Sequence, residues 1–418
     1  MLTPVIDSVC RAEGARVLAG LIRRFGDFDL AEDALQDAFE KAIELWPLRG
    51  LPESPAAWLT TVAQRRALDL IRRRAAGHLY TDAPPDAAAP QAEEADAHPA
   101  DISGVEDDRL RLVFTCCHPA IGQAAQMALA LRTLCGLSTR EIARAFLEPE
   151  ATTAQRLVRV KKKILEARIP YEVPSGESLP ERLQAVLGVV YLVFNEGYAA
   201  TETPGLVRPD LCAEAIRLAR LIAELMPRES EVLGLLALML LHDARRATRV
   251  GNDGAIVPLE EQDRARWNGE EIAEGLALLD AALALHRRGP YQVQAAIAAL
   301  HARAPRAEDT DWKQIAALYG GLLREQPGAV VELNAAAAVA MAEGAEHGLA
   351  LMDRLSGREE LAGYYLLPAA RADLLRRLGR LAEARDAYRA ALALVRNPAE
   401  RSYLERRLTE CGGPAIAL

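Results

Sequence analysis

Apolar residues recur at a helical spacing along almost the whole chain. In residues 31–46 (AEDALQDAFEKAIELW), acidic side chains are displayed beside an apolar stripe. That stripe consists of Ala34, Leu35, Ala38, Phe39, Ala42 and Leu45. Runs of β-branched residues are scarce, so the pattern predicts an all-α protein.

The same spacing returns in residues 56–74 (AAWLTTVAQRRALDLIRRR), after a Pro-rich stretch at residues 47–55. We expect an inward face made of Trp58, Leu59, Val62, Ala63, Leu68 and Ile71. The outward face would carry Gln64, Arg65, Arg72, Arg73 and Arg74. A helix with Trp and a basic outer face could stack on and hold separated DNA strands.

Residues 138–164 (STREIARAFLEPEATTAQRLVRVKKKI) predict two short helices. Ser138 and Glu141 have the spacing of a capping box, and Ile142 and Ala143 would face inward. After a break at Pro149, a helix from Thr152 would bury Leu157, Val160 and Ile164. It would project Thr153, Gln155, Arg156 and Arg159. Gln and Arg can read base edges, while Thr and Lys hold phosphates. The alternative is a helical hairpin with a solvated basic end.

Charge divides the chain unevenly, although the formal total is −9. Residues 109–170 hold 11 basic and 4 acidic residues, whereas residues 77–108 hold 9 acidic and no basic ones. Residues 78–101 are rich in Pro, Ala and acid, which is typical of a flexible tether. The local positive excess indicates where phosphate contact would occur.

Several classes of function are disfavoured. The longest apolar run, residues 232–241, is shorter than the roughly 20 residues that span a bilayer. The N-terminus resembles no secretory signal, so we expect a cytoplasmic protein without membrane contact. Cys116, Cys117 and His118 are adjacent rather than spaced for metal, and no nucleotide-binding or hydrolase motif occurs. We therefore predict no enzymatic activity, no cofactor and no metal.

The last part of the chain predicts stacked helices. Placing Gly344 on Gly379 aligns two helical pairs at a spacing of 35 residues, close to the tetratricopeptide period. Earlier repeats are blurred, so we expect a repeat-like array rather than a regular solenoid.

The order of these segments resembles that of an extracytoplasmic-function sigma factor of the sigma-70 family. The resemblance rests on LAEDALQDAFEKAIELW and SPAAWLTTVAQRRALDLIRRR for region 2, and on LSTREIARAFLEPEATTAQRLVRVKKKI for region 4. YLVFNEGYAAT, HDARRATR and LEEQDRARWN further resemble a subgroup with a tetratricopeptide-like extension. The implied domains are region 2 (1–76), an acidic flexible linker (77–104), region 4 (105–170) and a helical repeat-like extension (171–418).

The resemblance implies a role for each set of residues. RNA polymerase core, through the clamp helices of its largest subunit and its flap, is the implied protein partner, and promoter DNA is the second. Core polymerase would bind Asp33, Gln36, Asp37, Phe39 and Glu40. The −10 element would be opened and read by the loop at residues 47–55 with Trp58, Gln64, Arg65, Asp69 and Arg72. The −35 element would contact Thr152, Thr153, Gln155, Arg156, Arg159, Lys161, Lys162 and Lys163.

The extension carries a polar set in an Ala/Leu background: Asn195, Glu196, Tyr198, Arg245, Arg246, Asp263, Arg264 and Trp267. These residues either fix the helical stack by ion pairs or form a regulatory site for an unknown ligand or protein. Two departures from the family, Leu147 in the turn and Arg65-Arg66 in the −10 helix, prevent transfer of a promoter sequence. A stand-alone helix-turn-helix regulator with a ligand-sensing repeat domain is the rival hypothesis. A pure repeat scaffold would leave the basic segment unexplained.

Overall fold

The computed structural model describes residues 3–77, 105–146, 148–198, 208–251 and 255–412. Over these residues the protein is all-α, as predicted, and pairing between extended segments is limited to one bridge from Val250 to Ile256. The predicted linker lies outside the described residues except for Gly77, and Leu147 lies outside them as well.

The chain forms two compact units, residues 1–189 and 190–418, whose boundary falls within helix α8. The helices of the first part are α1 (Thr3–Phe25), α2 (Phe28–Arg49), α3 (Pro55–Gly77), α4 (Val105–Cys116), α5 (Gln123–Thr133), α6 (Thr139–Ala145), α7 (Glu150–Glu166) and α8 (Ser178–Tyr198). Helix α1 packs on α2, α3 and α4, while α5, α6 and α7 pack on one another.

Helix α2 is longer than the sequence predicted. Asp27 caps its start by accepting hydrogen bonds from the backbone N–H groups of Asp29 and Leu30. The helix then continues through Pro47 to Arg49 and ends at Gly50, whose φ of 85° favours glycine. The predicted loop at residues 47–55 is therefore wrong at its start, and residues 50–54 form the connection. Burial of Trp46 fixes this last turn, which tolerates the missing N–H of Pro47.

The second unit is a succession of helices in which each one packs against the next. Its helices are α9 (Pro209–Leu225), α10 (Ser230–Asp243), α11 (Gly269–Ala284), α12 (Pro290–Arg303), α13 (Trp312–Glu325), α14 (Ala329–Glu343), α15 (Ala345–Leu355), α16 (Leu366–Arg377), α17 (Leu381–Leu394) and α18 (Pro398–Glu410). The two aligned glycines have corresponding places. Gly344 joins α14 to α15 with φ 114°, and Gly379 joins α16 to α17 with φ 73°.

Candidate nucleic-acid interface

The acidic face of α2 stands on a buried row of small and apolar residues. Ala34, Leu35, Ala38 and Ala42 are buried, and Asp33, Gln36 and Glu40 are exposed. Two other residues of the predicted polymerase-binding set are half-buried. Phe39 packs close to Gly14, and Asp37 accepts a hydrogen bond from Arg66 on α3. Part of this face, at Asp37 and Phe39, is therefore already in contact with other helices of the same protein.

Helix α3 presents a mixed basic and apolar surface. Leu59, Ala63 and Ala67 are buried and anchor it, and Trp58 packs edge-on against Trp46 with ring centroids 5.3 Å apart. The prediction that Leu68 and Ile71 pack inward is wrong, because they are 38% and 40% exposed. Buried Ala67 occupies the inward position that these two residues were expected to share.

The polar residues predicted on the outer face of α3 differ in their exposure and in their partners. Arg65 and Arg72 are exposed, and Arg72 lies 3.6 Å from Asp69, which is exposed as well. Gln64 is half-buried and accepts a hydrogen bond of 3.0 Å from Arg24. The side chain of Arg74 lies outside the described residues.

The two helices α6 and α7 have the cap and core that the sequence indicated. Ser138 and Glu141 form a reciprocal capping box, and Ile142 and Ala143 are buried. On α7 the buried positions include Leu157, Val160 and Ile164, which confirms the predicted stripe. The helix begins at Glu150 rather than Thr152, because Pro149 provides the N-cap residue.

Thr153 does not project from α7, contrary to the sequence prediction. It is fully buried, and its hydroxyl donates a hydrogen bond to Glu148. The same carboxylate accepts two hydrogen bonds from the guanidinium of Arg156, one of 2.6 Å. Burial opposes ionisation of Glu148, but the bonds from Arg156 and Thr153 outweigh it and lower the pKa of the carboxyl group.

Sequence reasoning missed Glu148. Its signal was an acidic residue directly before the first turn of a helix, where carboxylates are stabilised. The pair it forms holds Arg156 across the start of α7 and removes Thr153 from solvent.

The remaining polar face of α7 lines a groove of about 280 Å³. Four of its residues, Thr152, Gln155, Arg159 and Lys163, are exposed and follow one another at intervals of about one helical turn. Arg156 lines the same groove, opposite Ile121, Gly122 and Ala125. Amide, hydroxyl and cationic groups thus meet along one face, which is the chemistry that reads base edges and holds phosphates.

Lys161 is turned away from this groove and bound to α2. Its ammonium lies 2.8 Å from Asp29 and 3.1 Å from Glu32, and only 11% of its side chain is exposed. Glu32 also lies 3.5 Å from Arg132 on α5. Burial favours the neutral amine, but Glu32 and Asp29 outweigh it and raise the pKa of Lys161. Lys162 is exposed and lies 3.5 Å from Glu166.

In the second unit the structure brings together part of the predicted regulatory set. Arg245 and Tyr198 form a cation–π contact, and so do Arg264 and Trp267. Arg246 instead pairs with Asp243 at 3.0 Å, and Asp263 caps the turn that begins at Arg264. Asn195 and Glu196 are half-buried on α8. The predicted regulatory set did not include Arg249, His242 and His301, which lie in the same cluster.

The cysteines of the described residues lie inside the protein. Cys116 and Cys117 are buried, and burial raises the pKa of the Cys116 thiol to about 12. No group of three or more His, Cys, Asp or Glu side chains in the described ranges is placed to hold a metal ion. Among these residues, no helix is both long enough and apolar enough to cross a membrane.

Comparison with known proteins identifies the first three helices. Residues 10–77 match sigma-70 region 2, and residues 182–283 match a family of unknown function, DUF6596. The chain is 45% identical over 406 residues to an uncharacterized protein, R00370, of Rhizobium meliloti (strain 1021), covering 96% of this chain and 95% of that protein. The chain therefore belongs to one family with that protein.

A more distant similarity covers part of the chain. The chain is 28% identical over 175 residues to a probable ECF RNA polymerase sigma factor, SigI, of Mycobacterium tuberculosis in two strains. That match covers 41% of this chain and 58% of the mycobacterial protein. Together with the region 2 match, it supports a sigma-70 family sigma factor. No solved structure was found to match the chain.

Proposed function

We propose that this protein is a sigma factor of the extracytoplasmic-function group, which binds RNA polymerase core and directs it to promoters. It acts by binding rather than by catalysing a reaction, and it works in the cytoplasm. The match of residues 10–77 to sigma-70 region 2 is the observation on which the proposal depends. Region 4 is proposed from the geometry of α6 and α7.

Within this proposal, the exposed face of α2 docks on the clamp helices of the largest polymerase subunit. Asp33, Gln36 and Glu40 are its exposed polar groups, and Phe39 provides an apolar contact beside them. Helix α3 and residues 50–54 then capture the opened −10 element. Exposed Leu68 and Ile71, flanked by Arg65 and Arg72, give this face apolar contact area for unstacked bases and charge for phosphates.

The polar face of α7 enters the major groove of the −35 duplex. Gln155 and Arg159 read base edges, and Thr152 and Lys163 contact the backbone. Because Arg156 is held by Glu148, it contributes a fixed guanidinium rather than a mobile one. Thr153 supports the start of the helix instead of contacting DNA, and Lys162 adds a phosphate contact at the exposed end.

The ion pairs of Lys161 imply that the protein changes conformation when it binds a promoter. In the structure it neutralises Asp29 and Glu32 instead of a phosphate. Region 4 must release these ion pairs if Lys161 is to reach the DNA backbone, so the arrangement described here corresponds to the protein before it engages a promoter. The repeat-like extension is proposed to regulate this transition.

Binding to core polymerase tests the proposal directly. The full chain, labelled with a fluorophore, is titrated with purified core RNA polymerase, and the dissociation constant is measured by anisotropy. The double variant Asp33→Ala/Glu40→Ala should bind at least tenfold more weakly, because it removes two exposed carboxylates from the docking face. Glu44→Ala, an exposed carboxylate one turn further along α2, is the matched control.

The rival hypothesis of a stand-alone helix-turn-helix regulator predicts a different result in the same experiment. Such a protein would bind duplex promoter DNA unaided and would show no affinity for core polymerase. Absence of binding by the unmodified chain would therefore exclude the sigma-factor proposal.

A further inference from the structure

Three arginines of the second unit crowd around two aromatic rings. The guanidinium of Arg249 lies 3.5 Å from the centroid of the Tyr198 ring, and that of Arg245 lies 5.7 Å from the same centroid. Arg264 lies 4.9 Å from the ring centroid of Trp267. None of the three forms a salt bridge with a carboxylate in the described residues, whereas neighbouring Arg246 pairs with Asp243.

The same cluster contains several polar atoms that lack partners. Within the described part of the chain, buried Tyr198 Oη, His242 Nδ1, His301 Nδ1 and Arg264 Nε have no hydrogen-bond partner. The ring of His242 is 5.2 Å from that of Tyr198, and Arg264 donates to the backbone carbonyl of His301. Since nearly all buried polar atoms in folded proteins are paired, four together indicate that a polar group from outside this set completes the cluster.

The charge of the cluster determines what that group can be. Burial, together with Arg245, lowers the pKa of His301 to about 4 and holds that of His242 well below its usual value, so both imidazoles are neutral. Burial and Arg245 also lower the pKa of Arg249. The cluster thus keeps like charges close together, which is costly unless an anion compensates them.

The described carboxylates that act on these arginines compensate them only in part. Glu400 favours the charged form of Arg249, but it forms no salt bridge with it in the described residues and is hydrogen-bonded with Tyr365. Asp243 also acts on Arg249 but is paired with Arg246. Glu308 and Asp309 favour the charged form of Arg264, and both are paired with Arg306. Each of these carboxylates thus has another partner, and none lies within salt-bridge distance of the three arginines.

We propose that Arg245, Arg249 and Arg264 bind a small oxyanion, a phosphate or carboxylate group, with Tyr198, His242 and His301 as hydrogen-bonding partners. Guanidinium groups match the planar and bidentate geometry of such anions, and the aromatic rings hold the arginines in place. The site belongs to the extension and does not depend on the proposed promoter-binding role.

The proposal is tested on the full chain by calorimetric titration and by thermal unfolding. Sodium phosphate and sodium citrate are compared with sodium chloride at equal ionic strength, so that screening of surface charges is the same in all arms. The two anions distinguish a phosphate group from a carboxylate as the preferred ligand. We expect one of them to give saturable binding and to raise the melting temperature with the logarithm of its concentration above the dissociation constant.

Two substitutions assign this effect to the cluster. Arg245→Gln should weaken anion binding at least tenfold, and Arg288→Gln, an exposed arginine elsewhere in the extension, should leave it unchanged. In chloride alone, Arg245→Gln should be as stable as the unmodified protein or more stable, because it relieves repulsion between like charges. A purely structural arginine would instead lower the melting temperature.

Two results would overturn the proposal. One is a melting temperature that responds to neither phosphate nor citrate beyond the chloride control. The other is an equal response of the unmodified chain and of Arg245→Gln to the anion, which would place the binding outside the cluster.

Discussion

Helices α3 and α7 both carry basic side chains on an outer face, but they differ in how those side chains are held. On α3, Arg65 and Arg72 are exposed, and the contact of Arg72 with Asp69 lies on the surface. On α7, Arg156 is bound by Glu148, and Lys161 is bound by Asp29 and Glu32 of another helix. A basic stripe in a sequence therefore does not by itself show which cationic side chains are available to a nucleic acid.

The largest expected difference between the two helices concerns their apolar residues. Leu157→Ala on α7 removes a side chain that is 5% exposed and should destabilise the helix by about 2–4 kcal/mol. Leu68→Ala on α3 removes one that is 38% exposed and should cost less than about 1 kcal/mol. Hydrogen exchange of the α7 and α3 amides in the full chain measures both. Equal losses of protection would show that Leu68 is part of the core.

DNA binding should separate the exposed cations of the two helices. Arg159→Ala should weaken holoenzyme binding to a duplex −35 fragment by roughly 1–3 kcal/mol and leave binding of a single-stranded −10 fragment unchanged. Arg65→Ala should weaken binding of the single-stranded −10 fragment and leave binding of the duplex −35 fragment unchanged. The number of ions released on binding the −10 fragment, measured from the salt dependence of its affinity, should fall by about one. Val158→Ala, on the exposed side of α7 away from the groove, is the control. If Arg159→Ala affected both fragments equally, the assignment of α7 to the duplex would be wrong.

The Glu148 pair predicts a pH dependence of the stability of α7. The lowered pKa of Glu148 means that its contribution is present above the ordinary glutamate value of 4.5 and is lost as pH falls through the lowered pKa. Glu148→Gln should remove roughly 1 kcal/mol of α7 stability near neutral pH, since the pair is partly exposed. Hydrogen exchange of α7 from pH 7 down to pH 3 should show the dependence in the unmodified chain. Persistence of the same dependence in Glu148→Gln would assign it to another group.

The ion pairs of Lys161 should change promoter binding by a smaller factor than the substitutions above. Glu32→Gln should lower stability by about 1–3 kcal/mol, because the side chains of Lys161 and Glu32 are only 11% and 15% exposed and the substitution leaves the lysine with Asp29 alone. It should raise promoter binding by the holoenzyme two- to fivefold, since less electrostatic energy opposes release of Lys161. Glu44→Gln, on the same helix, is the control. Glu40→Gln is unsuitable because Glu40 lies in the proposed docking face. Unchanged binding by Glu32→Gln would mean that these pairs do not restrain α7.

Local sequence patterns predicted much of the first unit. The capping box of Ser138 and Glu141 and the stripe of Leu157, Val160 and Ile164 depend on residues within a few turns, so their spacing was sufficient. The burial of Thr153 depends on Glu148 across the turn, and the position of Lys161 depends on residues more than a hundred positions away. Spacing along one helix contains no information about such partners.

The same limit applies to α2, α3 and the extension. Pro47 suggested a loop, but packing of Trp46 continues the helix past it. Leu68 and Ile71 fit an apolar stripe, yet the small residue Ala67 takes the buried position. In the extension, Arg245 and Arg264 stood out in an Ala/Leu background, whereas His242, Arg249 and His301 became part of the cluster only through packing.

The central claim is that this chain makes core RNA polymerase selective for promoters. It is tested by transcribing genomic DNA in vitro and mapping the 5′ ends of the transcripts. Three reactions are compared: core polymerase alone, core with the unmodified chain, and core with the double variant Gln155→Ala/Arg159→Ala. The account predicts new, discrete start sites with the unmodified chain and their loss in the double variant. The same 5′ ends with and without the unmodified chain would contradict it.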